Sequence, residues 1–75
     1  MRLGEEGWGF VEELIEHYTD GSSLCTSWQQ EFFESFSEKA SDYEEETYVT
    51  EKQLAQLNKI AEIFGMEPLE IDDVE

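Results

Sequence analysis

Basic side chains are scarce in this 75-residue sequence, and the resulting charge imbalance is its most prominent property. The chain has 4 lysines and arginines against 20 aspartates and glutamates, which gives a formal net charge of −16 at pH 7. Phosphate backbones and anionic lipids repel such a chain. We therefore expect no direct contact with nucleic acid or with a membrane, and a partner protein whose surface is basic.

Cysteine and histidine occur once each, as Cys25 and His17. A lone cysteine cannot close an internal disulfide, which favours a reducing compartment, by default the cytoplasm. Zinc sites built from several Cys and His ligands are excluded within one chain. A Cys25–His17 nucleophile pair would lack a glycine-rich oxyanion loop and an orienting third residue, and the acidic run at residues 42–46 lacks calcium-loop spacing. We expect no metal, no cofactor and no catalytic residue, and hence a protein that is not an enzyme.

Long apolar runs are also missing. No stretch approaches the ~18 apolar residues of a membrane span, and the N-terminus has no basic region followed by an apolar run. We expect a chain that is neither exported nor embedded in a membrane. A chain of this length forms one domain at most and buries only roughly 60 % of its unfolded surface, so its core will be thin.

A first helix is predicted over about residues 8–20. Its apolar face comprises Trp8, Val11, Leu14, Ile15 and Tyr18, and its opposite face carries Glu12, Glu13 and Glu16. Residues 20–23 form a stop signal in which Gly21 suits the left-handed position after the last turn. Because Trp8 and Trp28 both lie in phase with apolar stripes, we expect at least one of them in the core.

A second helix, over about residues 27–43, separates apolar from acidic residues most clearly. It begins at a capping box, since Thr26 and Ser27 are each followed three residues later by a glutamine. The apolar side consists of Trp28, Phe32, Phe36, Ala40 and Tyr43, with Phe33 at its margin. The opposite side carries Glu31, Glu34, Glu38 and Asp42. The like-charged run that follows, ending in Glu44, Glu45 and Glu46, should fray the helix and form an exposed loop.

A third helix is predicted over about residues 51–64, with Thr50 and Gln53 as its capping box and Val49 stapled onto Leu54. Its buried stripe is Leu54, Leu57, Ile60, Ala61 and Phe64, and Gly65 and Pro68 end it. The fold class is therefore all-α: a small three-helix domain at residues 1–66 with a partly disordered acidic C-terminal tail at residues 67–75. The tail alternates Leu69, Ile71 and Val74 with acids, which fits an extended arm along a groove or disorder.

One pattern in the second and third helices resembles a segment common in phage-encoded proteins. It consists of Trp28-x3-Phe32-x2-Ser35, a variable acidic spacer, and Thr50-x-Lys52-Gln53-x3-Leu57-x2-Ile60, and it covers residues 26–64. Such segments occur in short free-standing proteins and as appendages of replication or recombination proteins. The resemblance implies phage origin and a setting in nucleic-acid metabolism, and it implies no catalytic residues. In charge and size the chain also resembles acidic DNA-mimic inhibitors of phage origin.

The leading hypothesis is a phage-type protein that inhibits a host nucleic-acid-handling protein, such as a defence nuclease, CRISPR effector, repair enzyme or polymerase. It would occupy a basic groove with a DNA-mimicking acidic surface. The predicted contacts are Glu31, Glu34, Glu38, Asp42, Glu44, Glu45 and Glu46, extended by Glu12, Glu13 and Glu16.

Two alternatives remain open. The first is an adaptor of a replication or recombination assembly that binds through an apolar patch or through the ridge formed by Lys52, Gln56 and Lys59. The second is an oligomer in which Phe33 and Trp8 close a helical dimer. The predicted oligomeric state is accordingly a monomer or a weak homodimer.

Overall fold

The computed structural model describes residues 2–70 and is all-α, as predicted. It contains α1 (Gly4–Gly21), α2 (Ser27–Tyr43) and α3 (Glu51–Ile63), with short 3-10 turns at Ser22–Leu24 and Glu44–Glu46. Within these residues there is no strand, and a single antiparallel bridge joins Arg2 to Tyr48. None of the described helices is both long enough and apolar enough to span a membrane.

The capping boxes predicted for α2 and α3 are confirmed. At α2, the Gln29 amide donates to the Thr26 hydroxyl over 3.1 Å, and the Thr26 amide donates back to the Gln29 side chain over 2.9 Å. Thr50 and Gln53 repeat these two bonds at the same distances. Each box satisfies amides that a helix N-terminus otherwise leaves unpaired, so both helices begin where the sequence specifies.

The C-terminus of α3 is also as predicted. Gly65 has a φ of +75°, a backbone conformation that side chains other than glycine rarely adopt. Its amide donates to Glu62, and the Met66 amide donates to Ala61 over 2.9 Å, which is the Schellman pattern.

The first helix begins four residues before the predicted start. Leu3 is buried and lies over Gly7, where an added Cβ would come within 3.0 Å of the Leu3 Cβ. Leu3, Gly7, Val11 and Leu14 therefore form one buried stripe. Val11 and Leu14 were predicted on this face, but its extension to Leu3 was not, because Gly7 has no side chain to continue the apolar spacing.

The prediction for Gly21 was wrong. Its φ is −125°, and it lies at the last position of α1 and not in a left-handed turn. The reason for a glycine here is contact, since an added Cβ would lie 2.6 Å from Cε1 of the Phe64 ring. The absent side chain lets the end of α3 pack against the end of α1.

The core differs from the prediction on α2. The buried residues of that helix are Phe33, Phe36 and Ala40, whereas Trp28 and Tyr43 are 56 % and 58 % exposed. Phe33 is therefore central and not marginal, and it cannot close a dimer because the monomer already buries it. Of the two tryptophans, Trp8 is half-buried against the core and Trp28 is exposed, so neither is fully buried.

Both ends of the described chain are tied to the helices. The Leu3 amide donates to the Thr47 carbonyl over 3.0 Å, which joins the N-terminus to the α2–α3 connection. The Asn58 side chain donates to the Leu69 carbonyl and accepts from its amide, at 3.1 and 2.8 Å. Leu69 also packs against the core, as the extended-arm alternative requires. Ile71 and Val74, the other apolar residues of the predicted arm, lie outside the described residues.

Candidate partner-binding surface

The exposed side of α2 carries a row of acidic residues. Glu31, Glu38 and Asp42 are exposed and lie opposite the buried Phe33, Phe36 and Ala40. From Glu31 to Asp42 the helix rises about 16 Å at 1.5 Å per residue. Because these residues share one uninterrupted helix, their carboxylates project from a stiff support.

Glu34 lies at the edge of this row that faces α1. The Tyr18 hydroxyl donates to the Glu34 carboxylate over 2.8 Å, and the Tyr18 ring packs on Phe33 with 4.7 Å between ring centroids. Burial, followed by the hydrogen bond to Glu34, raises the pKa of Tyr18 to about 12. Glu34 is therefore held in place by α1, whereas the other acids of the row extend from α2 into solvent.

Three further acids continue the row past the end of α2. Glu44, Glu45 and Glu46 are all exposed and form a 3-10 turn, not the frayed loop that the sequence predicted. Glu44 has a φ of +52°, where the chain changes direction. Acids at a helix C-terminus meet its negative dipole end, at a cost of about 0.3–1 kcal/mol each. Their position therefore opposes local stability.

The three predicted acids of α1 are all exposed, and one of them also lines a groove. Glu12 and Glu16 are exposed and lie one turn apart. Glu13 is rotated from Glu12 by about 100° around the helix; it is also exposed and lines a groove together with Glu6 and residues 66–70. Glu13 therefore borders the groove while it remains a surface neighbour of Glu16, three residues further along α1.

The exposed position of Trp28, beside the acidic row, was not predicted from the sequence. The Trp28 ring stacks on Phe32 with 5.6 Å between centroids and an interplanar angle of 1°, and Phe32 stacks in turn on Phe36. Trp28 precedes Glu31 by three residues, so it lies at the border of the acidic face. In the sequence, Trp28 has the helical spacing of a core residue. Which residues of α2 are buried depends on how the helix is rotated about its axis, and the elements packed against it set that rotation.

The two residues considered for nucleophilic chemistry have different surroundings. Cys25 is buried, and burial raises the pKa of its thiol, so little thiolate forms at neutral pH. His17 is exposed and stacks on Phe64 with 5.9 Å between centroids. Among residues 2–70, no group of three or more His, Cys, Asp or Glu side chains could hold a metal ion.

Comparison with protein families, with curated proteins and with solved structures finds no match to this chain. The acidic and aromatic side chains described above are therefore the features of the molecule that bear on its function.

Proposed function

We propose that this protein is a non-catalytic, phage-type inhibitor that binds the basic, nucleic-acid-binding groove of another protein. The observation that carries the proposal is the exposed acidic face of α2, formed by Glu31, Glu38 and Asp42, with Glu34 at its edge and Glu44–Glu46 beyond its end. We call these residues the α2 acidic surface.

The charge density of this surface is comparable to that of a nucleic-acid strand. One strand of B-DNA places a phosphate about every 3.4 Å along the helix axis, or about five over the ~16 Å from Glu31 to Asp42. The row places four carboxylates over that length, and the 3-10 turn adds three more. A groove lined with Lys and Arg would meet a similar charge in a similar space.

Local energetics also support a role in binding. The acids at residues 42–46 lie at the unfavourable end of the α2 dipole. A basic partner would reverse this penalty, because the cations of its groove would neutralise the cluster. Candidate partners are a host or phage protein of nucleic-acid metabolism, including a defence nuclease, CRISPR effector, repair enzyme or polymerase.

The test is an affinity capture from host lysate with the intact protein and with the variant Glu31→Gln/Glu38→Gln. The matched control is Glu51→Gln/Glu62→Gln, which removes the same charge from exposed positions of α3. All three proteins are used at low and at high salt, with duplex DNA as competitor. We expect the intact protein and the control to retain a nucleic-acid-binding protein that salt or DNA releases, and the α2 variant to lose it.

Two results would contradict the proposal. Equal loss of capture in both variants would mean that net charge and not the α2 acidic surface governs binding. Capture that survives both the α2 substitutions and high salt would mean that the acidic row is a solvated helix face.

The second of these results would favour an adaptor that binds through apolar side chains. The specific observation behind this candidate is that Leu24 and Trp28 are 64 % and 56 % exposed. Exposed aromatic residues commonly supply much of the energy of an interface. Under the adaptor reading, Trp28→Ala abolishes capture while Glu31→Gln/Glu38→Gln leaves it intact. The ridge of Lys52, Gln56 and Lys59 is the other surface for this role, with both lysines exposed.

A further inference from the structure

A second acidic site lies away from α2, in a groove between the N-terminal half of α1 and residues 66–70. The groove has a volume of about 880 Å³. Each wall carries two carboxylates: Glu6 and Glu13 on α1, and Glu67 and Glu70 on the C-terminal segment. The walls also carry apolar side chains, including Phe10 on α1 and Leu69 on the C-terminal segment, and both pack against the core.

From this combination we infer that the groove is a docking site for a basic peptide segment, whose Lys or Arg side chains lie between the two walls. Lys and Arg suit both features, because their methylenes cover apolar surface while their charged ends pair with carboxylates. The inference is independent of the α2 acidic surface.

Charge complementarity selects this occupant over the chain itself. The four basic residues of the sequence are Arg2, Lys39, Lys52 and Lys59, and none is among the described residues that line the groove. The residues that follow Glu70 include Asp72, Asp73 and Glu75, which have the same sign as the walls. A second copy of a chain with a net charge of −16 would bring further repulsion.

The groove is also held in shape before any ligand arrives. The Asn58 side chain makes two hydrogen bonds to the backbone of Leu69, one in each direction. Because these bonds fix the C-terminal segment opposite α1, binding need not order that wall, which lowers the entropic cost of association. Asn58 is not among the lining residues, so its substitution changes the wall without removing a carboxylate.

The experiment titrates the intact protein with a short fluorescent peptide of alternating lysine and leucine, followed by fluorescence anisotropy. The groove variant is Glu13→Gln/Glu67→Gln, and the charge-matched controls are Glu51→Gln/Glu62→Gln and Glu31→Gln/Glu38→Gln. We expect the groove variant to weaken binding about fivefold, as two partly exposed ion pairs would, and each control to change it by less than about twofold. Asn58→Ala should also weaken binding, with circular dichroism confirming that the helices persist.

Several outcomes would overturn the inference. Equal weakening in all three double variants would mean diffuse attraction to net charge. Equal affinity for a lysine–serine peptide would mean that Phe10 and Leu69 make no contribution. Displacement of the peptide by an equal concentration of spermine would assign the groove to a small polyamine. Loss of binding in Glu31→Gln/Glu38→Gln alone would place the peptide on the α2 acidic surface.

Discussion

Replacing Phe33 and Trp28 separately by alanine should have very different effects on stability, although the two residues lie on the same helix. Phe33 is 1 % exposed and Trp28 is 56 % exposed. Phe33 also packs on the Tyr18 ring at 4.7 Å, whereas the ring partner of Trp28 is Phe32, on its own helix. Phe33→Ala leaves a cavity in the core, whereas Trp28→Ala removes a side chain that is mostly exposed to solvent.

The expected magnitudes follow from these environments. Truncating a buried Phe costs about 3–5 kcal/mol, including the cavity that is left. Trp28→Ala removes one aromatic pair within a helix and a small amount of buried apolar surface. It should lower the free energy of unfolding by about 1 kcal/mol or less. A domain of this size has about 4–11 kcal/mol of total stability. Phe33→Ala therefore brings the chain close to unfolding, whereas Trp28→Ala leaves it folded.

Urea denaturation followed by far-UV circular dichroism measures both values, with Phe33→Leu as a milder variant for the case in which Phe33→Ala does not fold. An equal loss of stability in Trp28→Ala and Phe33→Ala would contradict the core described above. That result would mean that Trp28, Phe32 and Phe36 form the core in solution, as their spacing suggested. A stable Trp28→Ala protein would in turn be a valid probe of partner binding.

Three other substitutions and one change of pH test particular contacts. Gly9→Ala should raise the free energy of unfolding by about 0.5–1 kcal/mol, because an added Cβ meets nothing within 4 Å. Gly21→Ala should lower it by about 1–3 kcal/mol, because the Cβ would lie 2.6 Å from the Phe64 ring. Thr47→Val should raise it by about 1 kcal/mol, because the Thr47 hydroxyl is buried and has no hydrogen-bond partner among the described residues. Raising the pH should destabilise the fold through Tyr18, whose contribution is complete below its usual pKa of 10.0 and is lost as the pH rises to about 12. The free energy of unfolding should fall by about 1 kcal/mol. This is less than the full pKa difference implies, because Tyr18 is partly exposed and solvent screens its interactions. Urea titration measures all four effects.

Each of these expectations has its own control. Gly9→Ala and Gly21→Ala serve as controls for each other, because opposite effects on stability are expected. A higher free energy of unfolding in both would mean that the Phe64 ring moves aside without cost. For Thr47→Val, a loss of stability would show that the hydroxyl has a partner in solution. In Tyr18→Phe the decline between pH 10 and 12 should be smaller than in the parent, and an unchanged decline would assign it to other groups.

The sequence predicted the helix boundaries best where side chains act on their own backbone. Thr26 and Gln29 begin α2, Thr50 and Gln53 begin α3, and Gly65 ends it, and each effect operates within a few residues. Such contacts need no knowledge of the tertiary fold. The exposed positions of the α2 acids were also predicted, because carboxylates without partners remain in water.

The orientation of α2 was not predictable to better than one residue position. Phe32 and Phe33 differ by about 100° around the helix, and both have aromatic neighbours at helical spacing. The choice of Phe33 for the core depends on α1, since Tyr18 contacts both Phe33 and Glu34. The groove had two signals in the sequence, the spacing of Glu6, Phe10 and Glu13 and the alternating tail that fits an extended arm. Neither signal indicated that residues 66–70 lie opposite α1, because that position depends on the Asn58–Leu69 hydrogen bonds.

Because the chain is so strongly negative, added salt should affect its stability and its affinity for a basic partner in opposite directions. The chain has a net charge of −16, and the radius of gyration of its described part is 11.4 Å, so its acids repel one another over short distances. At 0.01 M salt the Debye length is about 30 Å and this repulsion is fully felt, whereas at 0.15 M it is about 8 Å and screening relieves it. Added salt should therefore stabilise the free protein, yet weaken its attraction to a basic groove. A partner that binds only the folded chain adds stability by mass action, and its cations neutralise the same carboxylates that salt screens. A fall in affinity with salt accordingly reflects the interface itself, because the free protein is better folded under those conditions.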